Sequence, residues 1–362
     1  MENVLDESDL PSYNESVSQS VGPPDLQNFN QVVQGGHKPA RCTIASSRGK
    51  IRIFTVHKLP SPIDLAFFPD SSLFVAIYLD GGFQLCDTTR GKLGHQMSKE
   101  MMNSISISPD GQYLVAVRDY GVELWNPLRG LLVGFFRGNR EKSKIICISP
   151  DSNRIAIGGF EAIQVFNMHT QDQQDAFTIN VGYDSDVQML RAMAFLPDDR
   201  RLMIATNSKI QVRDIDSETT TTSSVTIESN LAKFSPDGRY LASVNSNKIE
   251  IWRVCKGDFL HEPVLQCRFP LLTAARSVAS MEFSPDNSLL AVSMEIGHFR
   301  VSHKQLGCWD TFTGQRLCKS EVYRESGPRF KLKFSPDGLF LASFNTKGVR
   351  IWEAQGEEQR EA

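Results

Sequence analysis

The chain has 362 residues, 40% of them hydrophobic and 22% charged, with 39 Lys and Arg against 42 Asp and Glu for a formal net charge of −3. A chain this near to neutral is not built to neutralise a phosphate backbone, and no apolar run approaches the ~18 residues of a membrane span, so nucleic-acid binding and membrane insertion are both excluded. Seven scattered cysteines without C-x-x-C spacing, behind an acidic start with no apolar signal segment, read as reduced thiols in a cytoplasmic protein.

Residues 1–40 carry six acidic residues against one basic residue, Lys38, and are rich in Ser, Asn, Gln, Pro and Gly. Such a stretch cannot bury enough apolar surface to offset its ordering entropy, so it is expected to be a disordered acidic tail. Residues 357–362 are expected to be a second, short one, leaving 41–356 as the folded body. Within the first tail, Leu10, Pro11, Ser12 and Tyr13 form a segment that resembles the Leu-Pro-x-Tyr variant of the Pro-Pro-x-Tyr peptides bound by WW domains. That resemblance implies a WW-domain protein as a partner: Pro favours the extended polyproline conformation and Tyr fills an aromatic-lined groove. The plain alternative is an unstructured tail with a stray tyrosine. Next, residues 50–55, Lys-Ile-Arg-Ile-Phe-Thr, alternate as a strand does.

From there the chain repeats. Pro-Asp occurs at Pro69, Pro109, Pro150, Pro197, Pro236, Pro285 and Pro336, at intervals of 39 to 51 residues, each time two residues after a large apolar one. Pro presets the second position of a type I turn, Asp suits the third and Gly the fourth, so each copy is a strand entering a tight turn. A second, densely apolar strand follows, as in Tyr-Leu-Ala-Ser-Val at 240–244, and suits burial on both faces. A third ends on a bulky residue, in five copies 16 residues beyond the turn Pro: Trp125, Phe166, Arg213, Trp252 and Trp352. Apolar residues stand three and one before that endpoint in every copy. The remainder of each repeat accommodates a fourth strand, such as Leu-Leu-Val-Gly-Phe-Phe at 131–136.

Four antiparallel strands every 40–45 residues mark a β-propeller blade. The Phe-Ser-Pro-Asp-Gly turns at 234–238 and 334–338, with Val-Glu-Leu-Trp at 122–125 and Ile-Glu-Ile-Trp at 249–252, resemble the WD-repeat family over residues 41–354. The expected fold is all-β: a seven-bladed β-propeller with four antiparallel strands per blade. The seventh copy has three strands of its own, so the N-terminal strand near residues 50–55 is expected to close the ring. The resemblance implies a non-catalytic scaffold or adaptor that binds other proteins through the loops between second and third strands and between blades. Tyr120 and Phe160 are the aromatic candidates there. In the sixth copy an eight-residue insertion falls around residues 295–304, with His298, Phe299 and Arg300, and is expected to protrude as an exposed loop. Trp-Asp occurs once, at Trp309-Asp310, so apolar packing is expected to replace the family's buried Ser/His/Asp/Trp relay.

No hydrolase elbow, H-E-x-x-H or phosphate-loop motif is present, and neither an enzyme nor a cofactor is expected. His298, His303 and Cys308 have ligand-type chemistry, but one strand cannot aim all three at a single metal. Phe-Phe-Arg-Gly at 135–138 resembles the phosphoinositide motif of one propeller family with one Arg instead of two. A phosphoinositide-binding propeller is therefore the alternative reading, and a propeller hydrolase the third.

Overall fold

The computed structural model describes residues 51–354 apart from the segments 57–61, 93–100, 119–120, 138–144, 160–161, 171–176, 181–189, 225–226, 228–230, 246–247, 257–258, 272–274, 299–300, 320–329 and 346–347. All of these residues lie in the compact unit Gly36–Ala362. The tail motif at Leu10–Tyr13 lies outside the described residues.

Every Pro-Asp turn is closed in the same way. The residue after Asp donates its N–H to the carbonyl of the residue before Pro, as Gly238 does to Ser235 and Gly338 to Ser335, both at 2.9 Å. That fourth residue takes positive φ in all seven copies, from 62° at Ser71 to 74° at Gly111. In five copies the residue before Pro is a buried Ser. Its Oγ donates to the turn Asp at 2.5–2.6 Å and accepts the N–H five residues on at 2.8–3.0 Å.

Positive φ costs a non-Gly residue roughly 1 kcal/mol, yet Ser71, Ser152 and Asp199 occupy it. Each offsets the cost by reaching across to the preceding blade in the ring. Ser71 Oγ accepts the N–H of Asp337 at 3.1 Å, Ser152 Oγ that of Asp110 at 3.1 Å, and Asp199 Oδ1 that of Asp151 at 2.6 Å. Ser71→Ala, which keeps the strain and loses the bond, is expected to lower stability by about 1–2 kcal/mol. Ser71→Gly loses both and should be close to neutral by urea denaturation.

The strands assemble into seven four-stranded antiparallel sheets. Blade one comprises Pro62–Phe67, Leu73–Tyr78, Phe83–Asp87 and the short Gly91–Lys92. In blade seven, Lys331–Phe334, Phe340–Asn345 and Gly348–Ala354 are joined by the N-terminal strand Ile51–Val56, which runs antiparallel to the last of them from Ile51 opposite Ala354 to Val56 opposite Val349. The expected closure by an N-terminal strand is therefore present. The first strands of successive blades adjoin all the way round, that of blade seven meeting that of blade one.

The core is divided among the seven blade interfaces. Phe74, Ala76 and Tyr78 pack against blade seven with Phe344 and Ile351, whereas Val75 and Ile77 of the same strand pack against blade two with Ile105 and Leu114. A sheet packed on both faces explains why the second strands read as unbroken apolar runs. Cys86, at the endpoint where other blades have Trp, is fully buried in the interface with blade seven.

One buried charge ties three blades together. Asp64, on the first strand of blade one, accepts from Ser104 Oγ at 2.6 Å and the N–H of Ile105 at 3.1 Å in blade two, and lies 3.3 Å from Lys331 Nζ in blade seven. Burial, the largest influence, acts to raise its pKa. The Lys331 and Lys333 ammoniums and the Ser104 and Ile105 hydrogen bonds outweigh it and hold the carboxyl below its usual range.

Two sequence expectations need correction. The insertion of blade six is a ladder rather than a protruding loop: Leu289–His298 pairs with Val301–Asp310 throughout, ending with His298 opposite Val301. Nor do the blades rest on apolar packing alone. The residue two before each endpoint is polar and buried in blades one, two and five: Gln84, Glu123 and Glu250. Tyr78 Oη donates to Gln84, Arg118 and Trp125 Nε1 to Glu123, and Asn245 and Arg268 hold Glu250. One limb of the family relay also survives, since Trp352 Nε1 donates to Ser343 Oγ at 2.9 Å.

Candidate interaction surfaces

Chain direction assigns every turn to one of two faces. Each first strand ends at a Pro-Asp turn, and the turn between third and fourth strands lies beside it. Thr88 N–H bonds the Ser72 carbonyl at 2.9 Å, Ile215 that of Arg200 at 2.9 Å and Thr311 that of Ser288 at 3.0 Å. These turns form the turn face. The connections between second and third strands, and the segments entering each first strand, form the opposite face.

On the turn face the endpoint is followed by Asp or Asn in five copies, Asp87, Asn126, Asn167, Asp214 and Asp310, and that residue caps the hairpin it opens. Asp87 Oδ1 accepts the N–H groups of Thr89 and Arg90, and Asp310 Oδ1 those of Phe312 and Thr313, all at 2.7–2.9 Å. The carboxylates are consumed in local hydrogen bonds, and the Asp87 and Asp214 carboxyls are held below their usual range. For Asp87, burial acts against this and the Thr89 and Arg90 bonds prevail; for Asp214 the Ser217 N–H dominates. Arginines pair beside them: Arg154 with Asp216 at 2.7 Å, and Arg200 with Asp214 at 3.3 Å and Asp216 at 3.2 Å.

Such a set of capped hairpins in a closed ring has known counterparts. The family model "WD domain, G-beta repeat" matches residues 88–126, from the end of blade one to the third strand of blade two. Among solved structures the chain is similar to the β-propeller domain of Cps50 (Swd1) from Myceliophteria thermophila, with a TM-score of 0.69 and 16% identity over 84% of this chain and 100% of that one. The chain folds as a seven-bladed β-propeller, with a WD-type repeat at residues 88–126. No curated protein sequence matched it. WD-repeat propellers generally serve as protein-interaction scaffolds and are typically non-catalytic.

On the face opposite the turns, the propeller presents apolar side chains to solvent. Leu79, in the connection between second and third strands of blade one, is 53% exposed, and Met101, in the segment entering blade two, is 61% exposed. Of the residues singled out from the sequence, Tyr120, Phe160, Phe299 and Arg300 lie outside the described residues. His298 is at the tip of the blade-six hairpin on this face. Arg118, the last residue of the strand Leu114–Arg118 that leads to Tyr120, is not a loop residue, and its guanidinium is held by the buried Glu123.

The metal set does not come together. Cys308 is fully buried in the interface with blade seven, opposite Ala291. His303 is opposite Ile296, five residue pairs away and roughly 17 Å along the strand. Among the described residues no three His, Cys, Asp or Glu side chains are grouped to hold a metal ion. No described helix is long and apolar enough to cross a membrane.

Proposed function

We propose that this propeller is a non-catalytic adaptor that binds other proteins through the face opposite its Pro-Asp turns. The observation that carries this reading is the exposure of Leu79 and Met101 on that face, where nothing in the ring requires apolar residues. The interfaces beneath are packed and closed, so these side chains stand on a rigid platform, and rigid apolar anchors concentrate binding energy. The cytoplasm and a WW-domain partner for the Leu10–Tyr13 segment belong to the same reading. The phosphoinositide alternative has weaker support: Phe136 is fully buried against Phe166, with ring centroids 5.1 Å apart, leaving Arg137 as a single cation.

The test is affinity purification with quantitative mass spectrometry, comparing wild type with a Leu79→Asp, Met101→Asp double variant. The double variant is expected to keep its melting temperature and to lose its specific partners at least tenfold, as charged replacements of interface anchors do. Unchanged partner recovery, or recovery of the wild type on anionic vesicles alone, would overturn the reading.

A further inference from the structure

The turn face carries a second surface, at the seam between blades five and six. Tyr240 on the second strand of blade five stands opposite Arg253 on the third, and Arg253 opposite Val264 on the fourth, so the three share one face of the sheet. From blade six, the Phe312 ring meets Tyr240 edge to face, with centroids 5.9 Å apart at 86°. Phe312 is 49% exposed and Val264 50% exposed, and Arg253 is exposed between Tyr240 and Val264. The result is an exposed row of an aromatic, a guanidinium and an aliphatic residue, Phe312, Arg253 and Val264, beside the half-buried Tyr240.

Phe312 is held there by design of the turn, not left there by slack. Asp310 accepts from the N–H groups of Phe312 and Thr313 and from Thr313 Oγ1 at 2.7–2.9 Å. Cys267 Sγ donates to the Thr311 carbonyl at 3.3 Å and Gln266 Nε2 to the Phe312 carbonyl at 3.5 Å. Gly314, at φ +70°, lies so close to blade five that a Cβ there would stand 3.4 Å from both Cys267 and Phe269. The corresponding positions of blades one, three and four are the polar Thr89, His169 and Asp216, and that of blade two is Leu128, which packs half-buried against the interface with blade one. An aromatic pinned in the open by five hydrogen bonds loses little entropy when a partner covers it.

Charge selects the occupant. Arg154, Arg200, Arg201 and Arg239 on this face all have carboxylate partners. Arg253 has none among the described residues. A second copy docked about a two-fold axis through Arg253 would set Arg253 against Arg253, which like charges disfavour. We propose that this seam docks an extended segment of a partner protein in which an Asp or Glu lies within two residues of an aromatic or Leu. Its carboxylate pairs with Arg253 while the apolar side chain covers Phe312 and Val264. The site is separate from the adaptor face and stands on its own residues.

The test is selection of a random dodecapeptide display library on the immobilised full chain, with Arg253→Met and Phe312→Ala chains as counter-targets. Both replacements are at exposed positions, and melting curves matching wild type confirm folding. Selected peptides are expected to carry the acidic–apolar pair and, as synthetic fluorescent probes, to bind each variant about tenfold more weakly. Arg253→Glu should reverse the preference toward Lys-bearing peptides. Three results would overturn the proposal: no enrichment, enrichment without the acidic residue, or equal binding to the variants. Self-association lost with Arg253→Glu, or vesicle binding indifferent to Phe312→Ala, would also overturn it by naming another occupant. Because Leu79 and Met101 are untouched, failure here leaves the adaptor reading intact, and failure there leaves this one.

Discussion

A chain lacking residues 41–57 is expected to lose half or more of its folding free energy and to aggregate. Ile51–Val56 pairs along its whole length with Gly348–Ala354 and supplies the outer strand of blade seven. Without it that blade exposes the groups of a seven-residue edge strand, Gly348–Ala354, which templates pairing between chains. About five ladder bonds at about 1 kcal/mol each disappear, against a total stability on the order of 5–15 kcal/mol. Guanidinium denaturation and light scattering provide the readout. A deletion mutant with the wild-type midpoint would show that the ring does not depend on this strand.

The second large effect is expected at Asp64. Asp64→Ala leaves Lys331 without its carboxylate, Lys333 with Glu282 alone, and Ser104 and the Ile105 N–H without their acceptor. The cost should be about 3 kcal/mol, the low end for a broken buried pair because Lys331 is partly exposed. The pH dependence has a definite sign. A carboxyl whose folded pKa is depressed contributes stability that is fully present above its unfolded value of about 3.9 and is lost as pH falls through the lower, folded value. Asp64→Asn keeps the shape but has no such contribution. Wild type should therefore exceed Asp64→Asn most at pH 6–7, and the difference should shrink below pH 4. A constant difference across that range in urea titrations would contradict the charge argument.

The turns were legible because their residues do local chemistry. Pro sets φ, Asp caps, and the Ser before Pro locks the hairpin whatever surrounds it, so Ser335, Pro336 and Asp337 announce themselves. The buried polar residues Gln84, Glu123 and Glu250 were equally visible, at a fixed place two before each endpoint, but were passed over. Alternation of apolar and polar residues in a strand usually means one wet face. In a ring of blades both faces are packed, so the polar half of the alternation is buried and must find partners such as Arg118 and Asn245. The blade-six insertion misled for a related reason. It displaces Trp309 from the register counted from Pro285, yet it lengthens both strands of the hairpin together, and pairing continues to His298 and Val301. Phe312 was missed because attention went to the opposite face. Its signal was an aromatic after Asp310-Thr311 where blades one, three and four have Thr89, His169 and Asp216 and blade two has a half-buried Leu128.

On the proposed reading, partners bind the face opposite the Pro-Asp turns. Cross-linking mass spectrometry on the native complex, with an amine-reactive reagent, tests it most directly. Lys209 and Lys248 both stand beside the connections between second and third strands on that face, at the starts of their third strands. The account predicts partner cross-links at these two lysines. Partner cross-links confined to the turn face, with none at Lys209 or Lys248, would contradict it.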